Sequence, residues 1–508
     1  MSSFRNKHRL SLQPLEDRSV PATFSYLAGT LTVTAAEGNA ITVQPSLNAP
    51  VGYLKVTDGN NTFDSLSKSQ PVNNVIVNMG PANIASLTLP DGTFIPGNLT
   101  VLGAKQNSGV YSRAEIGQNF SYTPAPTAAT DYIELTSEGS VAGNATFKLG
   151  AGNNTVSLTG GTIGGNLTVI GGSGADFVPL TFANDVVVKG SAIFNLGGGT
   201  NSVQSAGNGN FTIGKDLTYI GGAGDEDFDL DTGFDTTLGV GGKMKISLGA
   251  AAIFNRFETG ELSVGSSLSI TAGNQVDLID MDGTSNIGGS VSINTGNGIG
   301  SVNLDGIFLG GSLTFNGGID QDYFVLDSFV VGKNLTINAK GDALLSGQIV
   351  QVGFGTTNEN AVFGSATIAT GNGADTVALH RTTVGGTLKV ATGAGVDTIT
   401  MNDSSVARTT LFDLGGGADI LEVDNSNADD GGALNGITTF GGTFTVKAGE
   451  GDDTVRLSSM GGNLIKFGSK VSLFGGVGTD TFESFGLNEF LGADSQEDFE
   501  ADNGVPLS

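Results

Sequence analysis

The chain has 508 residues, of which 81 are glycine and only 12 proline, without a Gly-X-Y period, so a collagen-like rod is excluded. Its 38% hydrophobic and 14% charged content is too apolar and too weakly charged for simple disorder. Fifty acidic against 23 basic residues leave a formal charge of −27, which argues against nucleic acid or an anionic membrane surface as direct partner and admits divalent cations.

Residues 1–23 differ in composition from everything that follows. Arg5, Lys7, His8 and Arg9 form a basic start, but Leu10-Ser11-Leu12 runs at once into Gln13-Pro14, so the apolar core of a secretory signal is missing. Arg9-Leu10-Ser11-Leu12-Gln13-Pro14-Leu15-Glu16-Asp17-Arg18, followed by Val20-Pro21-Ala22, resembles the LEPR-XLL-type segment that heads many exported bacterial repeat proteins, with Gln13 where that family usually has Glu. The resemblance covers about twenty residues. It implies export to the cell surface and nothing about chemistry. No run approaches 18 apolar residues, so no transmembrane helix is expected.

From Phe24 a repeat sets in. It is plainest at Val362–Asp403, where VFGSATIATGNGADTVALHRTT is followed by VGGTLKVATGAGVDTITMND. The two lines superimpose at a shift of 22 residues, placing Gly364 on Gly386, Asp375 on Asp397, Val377 on Ile399 and Leu379 on Met401. A glycine slot tracks the repeat through Gly29, Gly52, Asn74, Gly97, Gly117 and Gly143 to Gly364, Gly386, Arg408, Gly442 and Gly468, about nineteen copies in all. Two longer steps mark insertions near Gly347 and Asn425.

Within a copy, short alternating runs such as Leu388-Lys389-Val390 and Val377-Ala378-Leu379 are separated by glycine-rich turns. Period-2 alternation over three to five residues, rich in Thr and Val, predicts half-buried strands, and no segment carries a 3.6-residue apolar stripe. Strands this short cannot bury a face alone. The expected fold is therefore all-β: a single-stranded parallel β-helix, or β-solenoid, of about nineteen coils with a period near 22–23 residues, aliphatic ladders inside and Thr, Ser and Asn ladders outside. Residues 24–485 would form it, with 1–23 as leader and 486–508 as an acidic cap or tail. Right-handed coiling is the expected sense.

The strongest chemical pattern is the turn GNGAD ending at Asp375, GAGVD at Asp397, GGGAD at Asp419, GEGDD at Asp453 and GGVGTD at Asp480. It occurs earlier as GGSGAD at Asp176, with looser forms at Asp227, Asp277 and Asp322. Stacking would bring these carboxylates into one column, about 5 Å apart, where a cation would relieve their repulsion. These turns resemble the GGxGxD calcium repeats of RTX-type proteins, a resemblance that implies Ca²⁺ as cofactor with Asp375, Asp397, Asp419, Asp453 and Asp480 as ligands. RTX nonapeptides stand in tandem, whereas here one turn occurs per copy. The competing reading is that Asp caps its own tight turn, and Asn154 and Asn201 in the same slot favour it, because an amide caps well and ligates weakly.

Catalytic residue sets are thin. His8 and His380 are the only histidines. His380-Arg381 is expected in a solvated loop after a strand, and one such pair defines neither a zinc site nor a Ser-His-Asp triad. No glycine turn is followed by Lys-Ser/Thr and a helix, so none is a phosphate loop.

The sequence thus points to an exported structural or adhesive cell-surface solenoid without catalytic activity. Its expected partners are surface or matrix polysaccharide, other surface proteins, or further copies joined end to end. The alternative is a polysaccharide lyase or hydrolase on the same scaffold. That reading is weakened by the absence of tryptophan, the 7 tyrosines and the scattered basic residues.

Overall fold

The computed structural model describes residues 22–502, leaving out 231–236, 342–346, 355–359, 425–436, 459–463 and a few shorter stretches. The leader up to residue 21 and the expected insertion near Asn425 therefore lie outside the described residues, and the one near Gly347 lies partly outside them.

Every described element is a strand. Each turn of the chain contributes three, and each strand pairs in parallel with its counterparts one turn before and one turn after. In the turn that begins at Ala366 the three are Ala366–Gly371, Thr376–His380 and Thr382–Val384. They lie beside Leu388–Ala391, Thr398–Asn402 and Ser405–Val406, with Val377 opposite Ile399 and Leu379 opposite Met401. The 22-residue shift read from the sequence is the register of this stack. Complete triplets run from Asn74–Asn78, Ile84–Leu89 and Phe94–Ile95 to Val471–Val477, Thr481–Ser484 and Leu487–Phe490. Among the described residues that makes seventeen complete turns against the nineteen or so expected, a stack of about 80 Å at roughly 4.8 Å per turn.

The difference arises mainly at the N-terminal side. Gly29 and Gly52 are not coil positions. Ala28 and Gly29 both have positive φ, 47° and 80°, and make the two-residue turn that folds Thr23–Leu27 back antiparallel on Thr30–Thr34. Ala40–Pro45, Leu54–Asp58 and Asn61–Asp64 form a second antiparallel meander beside the first parallel strands. At the other side the coil continues past residue 485: Leu487–Phe490, Asp494–Glu497 and Ala501–Asp502 extend all three ladders.

The core is a long narrow column, because alternation sends every second residue of every strand inward. On the shortest of the three faces, Val331, Val362, Val384, Val406, Phe440 and Phe467 stand directly over one another, all fully buried or nearly so. Where this ladder changes from valine to phenylalanine the rings stack, Phe440 on Phe467 at 5.5 Å and Phe467 on Phe490 at 4.9 Å between centroids. Each buried ring contributes about 1.5–3 kcal/mol of transfer energy.

Polar ladders close the corners. At one corner the side-chain oxygens of Asn74, Asn98, Asn119 and Asn144 accept the backbone N–H of Asn98, Asn119, Asn144 and Asn166 at 2.8–3.1 Å. The glycine slot adjoins this corner. Its true column passes through Gln118, Lys215, Ser266 and Lys333, one residue after the glycines at 117, 214, 265 and 332.

Candidate functional site

The glycine-rich turns form a second corner, between the first and second strand of each coil, and they place the aspartates. In the turn Gly393-Ala394-Gly395-Val396-Asp397, Gly395 has φ of +149°, and a Cβ there would lie 1.7 Å from the carbonyl oxygen of Gly373 in the preceding turn. Glycine is required because the backbones of stacked turns touch. The glycine pattern is thereby explained by packing alone. The fifth residue, as at Asp375, Asp397, Asp419, Asp453 and Asp480, then immediately precedes the second strand, with its side chain buried.

Asp375, Asp397, Asp419, Asp453 and Asp480 do form one column, and it is buried: each is 1% exposed or less. Each accepts a hydrogen bond from one turn away. Oδ1 of Asp397 takes the backbone N–H of Asp375, Asp419 takes that of Asp397, Asp453 that of Asp419 and Asp480 that of Asp453, at 2.8–2.9 Å. Gln348 donates likewise to Asp375 at 2.7 Å. Each carboxylate thus caps the backbone of the preceding turn rather than its own.

The column continues towards the N-terminus through Gln348, Asp322, Gly300, Asp277, Asn255, Glu226, Asn201, Asp176 and Asn154. There amides alternate with acids. Asn154 donates its side-chain N–H to Asp176 at 2.7 Å, Asn201 to Glu226 at 3.1 Å and Asn255 to Asp277 at 2.8 Å. Turn amides complete Asp176 and Asp322, whose second oxygens accept the N–H of Gly172 and Gly318. Among the five C-terminal acids no amide side chain intervenes. Oδ2 of Asp419 and Asp453 is buried without a hydrogen-bond partner. The hydroxyls of Thr370 and Thr392 lie between Asp375 and Asp397 and the carbonyls of Thr392 and Leu414.

Burial drives the acidity of this column down. Asp397 is pushed up to about 6 by desolvation, against the opposing N–H of Asp375, with the charge of Asp375 adding to the rise. Asp419 reaches about 7, desolvation again leading and Asp397 and Asp453 contributing repulsion. Asp375 and Asp453 are raised for the same first reason. Upstream, Glu226 reaches about 7 and Asp176, Asp277 and Asp322 about 6.

A calcium cage needs six to eight oxygens around one point. The column instead presents carboxylates in single file, each with one oxygen already held by an N–H, and among the described residues no three acidic or histidine side chains converge on one position. The column thus does not by itself bring three carboxylates around one point.

Two sequence assignments change. The column residue in its turn is Glu226, not Asp227, which faces outward and pairs with Arg256 at 2.8 Å. The spacing Gly222-Ala223-Gly224-Asp225-Glu226 already carried that signal. His380 is not in a solvated loop: it ends the strand Thr376–His380, is 4% exposed, and stacks on Phe354 with ring centroids 4.2 Å apart.

No protein-family model, curated protein or solved structure matches this chain. Among the described residues no helix is long and apolar enough to cross a membrane.

Proposed function

We propose that this chain is an exported structural or adhesive rod of the bacterial cell surface, and that protons rather than calcium ions neutralise its aspartate column. The observation that carries the reading is the parallel stacking of seventeen turns among the described residues, which presents long outer faces built largely from short polar side chains. A surface of this kind suits extended contact with a polymer or with neighbouring rods. The LEPR-XLL-like leader supports export. The catalytic alternative loses its one histidine candidate, because His380 is covered by Phe354.

The test is protease shaving of intact native cells, followed by detection of the protein with and without residues 2–22. Surface digestion that disappears on deletion of the leader supports the reading. Protection of the full-length protein in intact cells overturns it.

A further inference from the structure

We propose that a trough on the second face, walled by Tyr111 and Tyr132, binds a neutral polysaccharide chain. The inference rests on the adhesive reading above and names its partner. The outward residues of four neighbouring strands stand in register there as Ala40, Ser86, Gly109 and Tyr132. The first three carry almost no side chain, so the surface sinks between their neighbours into a trough of about 490 Å³. Tyr111, two residues beyond Gly109, leans back over it: a Cβ on Gly109 would lie 3.1 Å from the tyrosine Cε2. Its ring meets that of Tyr132 at 5.4 Å and 37°, and it is 41% exposed. Ile84, 50% exposed, forms part of the opposite wall.

Tyr111 also borders a second hollow of about 470 Å³, which contains Asp91, Arg113 and Glu134. The hydroxyl of Tyr132 donates to the Glu134 carboxylate at 3.3 Å, tying the aromatic pair to the charged side. An open cleft with an aromatic wall and a few polar groups at its rim fits a sugar ring. The ring offers one face of C–H bonds to the negative face of an aromatic ring, and an edge of hydroxyls to donors and acceptors. Asn107 and Thr130 supply such groups in the trough, and Arg113 and Glu134 supply them beyond Tyr111. Spanning four strands, the trough is roughly 14 Å long and takes several sugar units of a chain. Asp91 and Glu134, with the formal charge of −27, select against acidic polymers.

The experiment is affinity electrophoresis of the purified full-length chain in gels containing hydroxyethylcellulose, galactomannan or dextran, with alginate as the acidic comparison. At least one neutral polymer should retard the protein. Tyr111→Ala and the trough-filling Ser86→Phe, each with a wild-type circular dichroism spectrum and melt, should weaken retardation at least tenfold. Tyr323→Ala, an exposed tyrosine elsewhere on this face, should not. Absence of retardation by all three neutral polymers, retardation by alginate alone, or full retardation of both trough variants would each overturn the proposal. The assay is independent of export: a rod displayed on cells yet not retarded refutes the trough alone, whereas failure of surface display refutes the broader reading whatever the gels show.

Discussion

The backbone N–H of Asp397 donates to Oδ1 of Asp419 at 2.8 Å, while Oδ1 of Asp397 itself accepts the N–H of Asp375 at the same distance. One side chain is thus both a rung of the ladder and a buried acid. Two such acids ionised about 4.8 Å apart repel by about 3–4 kcal/mol at an effective dielectric near 20, so the file is stable when most of its members are protonated.

The first consequence is a stability profile that falls with pH. The folded pKa values of Asp397 and Asp419, about 6 and about 7, lie above the ordinary 3.8. Their contribution is therefore fully present below about pH 4, declines as pH rises through 6 to 7, and is flat above. Between these limits the two groups account for on the order of 3 and 4 kcal/mol. Thermal melts by circular dichroism from pH 4 to pH 8 should show the highest Tm at the acid end, and a maximum above pH 7 would refute the protonated column.

Asp419→Asn keeps the oxygen that caps Asp397 and removes the charge, as Asn154 and Asn201 do in the same column. At pH 8 it should stabilise by about 1 kcal/mol or more and flatten the pH profile, whereas Asp419→Ala should cost about 1–3 kcal/mol by leaving the Asp397 N–H without its acceptor. Urea unfolding of the two variants decides this. If Asn destabilises as much as Ala, the carboxylate has another role.

The glycine turns yield a paired comparison. Gly395→Ala places a methyl 1.7 Å from the Gly373 carbonyl at a φ of +149°, and should cost more than about 3 kcal/mol. At Gly416, in the next turn, the nearest atom to an added Cβ is 3.8 Å away, so Gly416→Ala should stay within about 1 kcal/mol of wild type. Equal losses in urea midpoints would contradict the stacking explanation.

Calcium bears directly on the choice between protons and metal. One site held at a hundred times its Kd would add about 2.7 kcal/mol. At pH 7 the melt should be the same in millimolar calcium and in excess chelator. An upward shift reversed by chelator and lost in Asp397→Asn would restore calcium to the column.

Much of the architecture was legible in the residues themselves. Val377 over Ile399 and Leu379 over Met401 follow from a repeated phrase, since a period-2 pattern copied at a fixed interval has one in-register stacking that keeps every apolar residue inside. The GxGxD spacing likewise marks the corner where the acids align. Tertiary structure alone decided the finer matters. It set the glycine column one residue off at Gln118 and Lys215, where the chain stacks on the turn before. It also gave each aspartate a partner in the preceding turn and covered His380 with Phe354. These outcomes depend on which backbone or ring lies against a residue from about 22 positions or more away. Burial and hydrogen-bond partnership belong to that neighbour as much as to the residue, so no local pattern contains them.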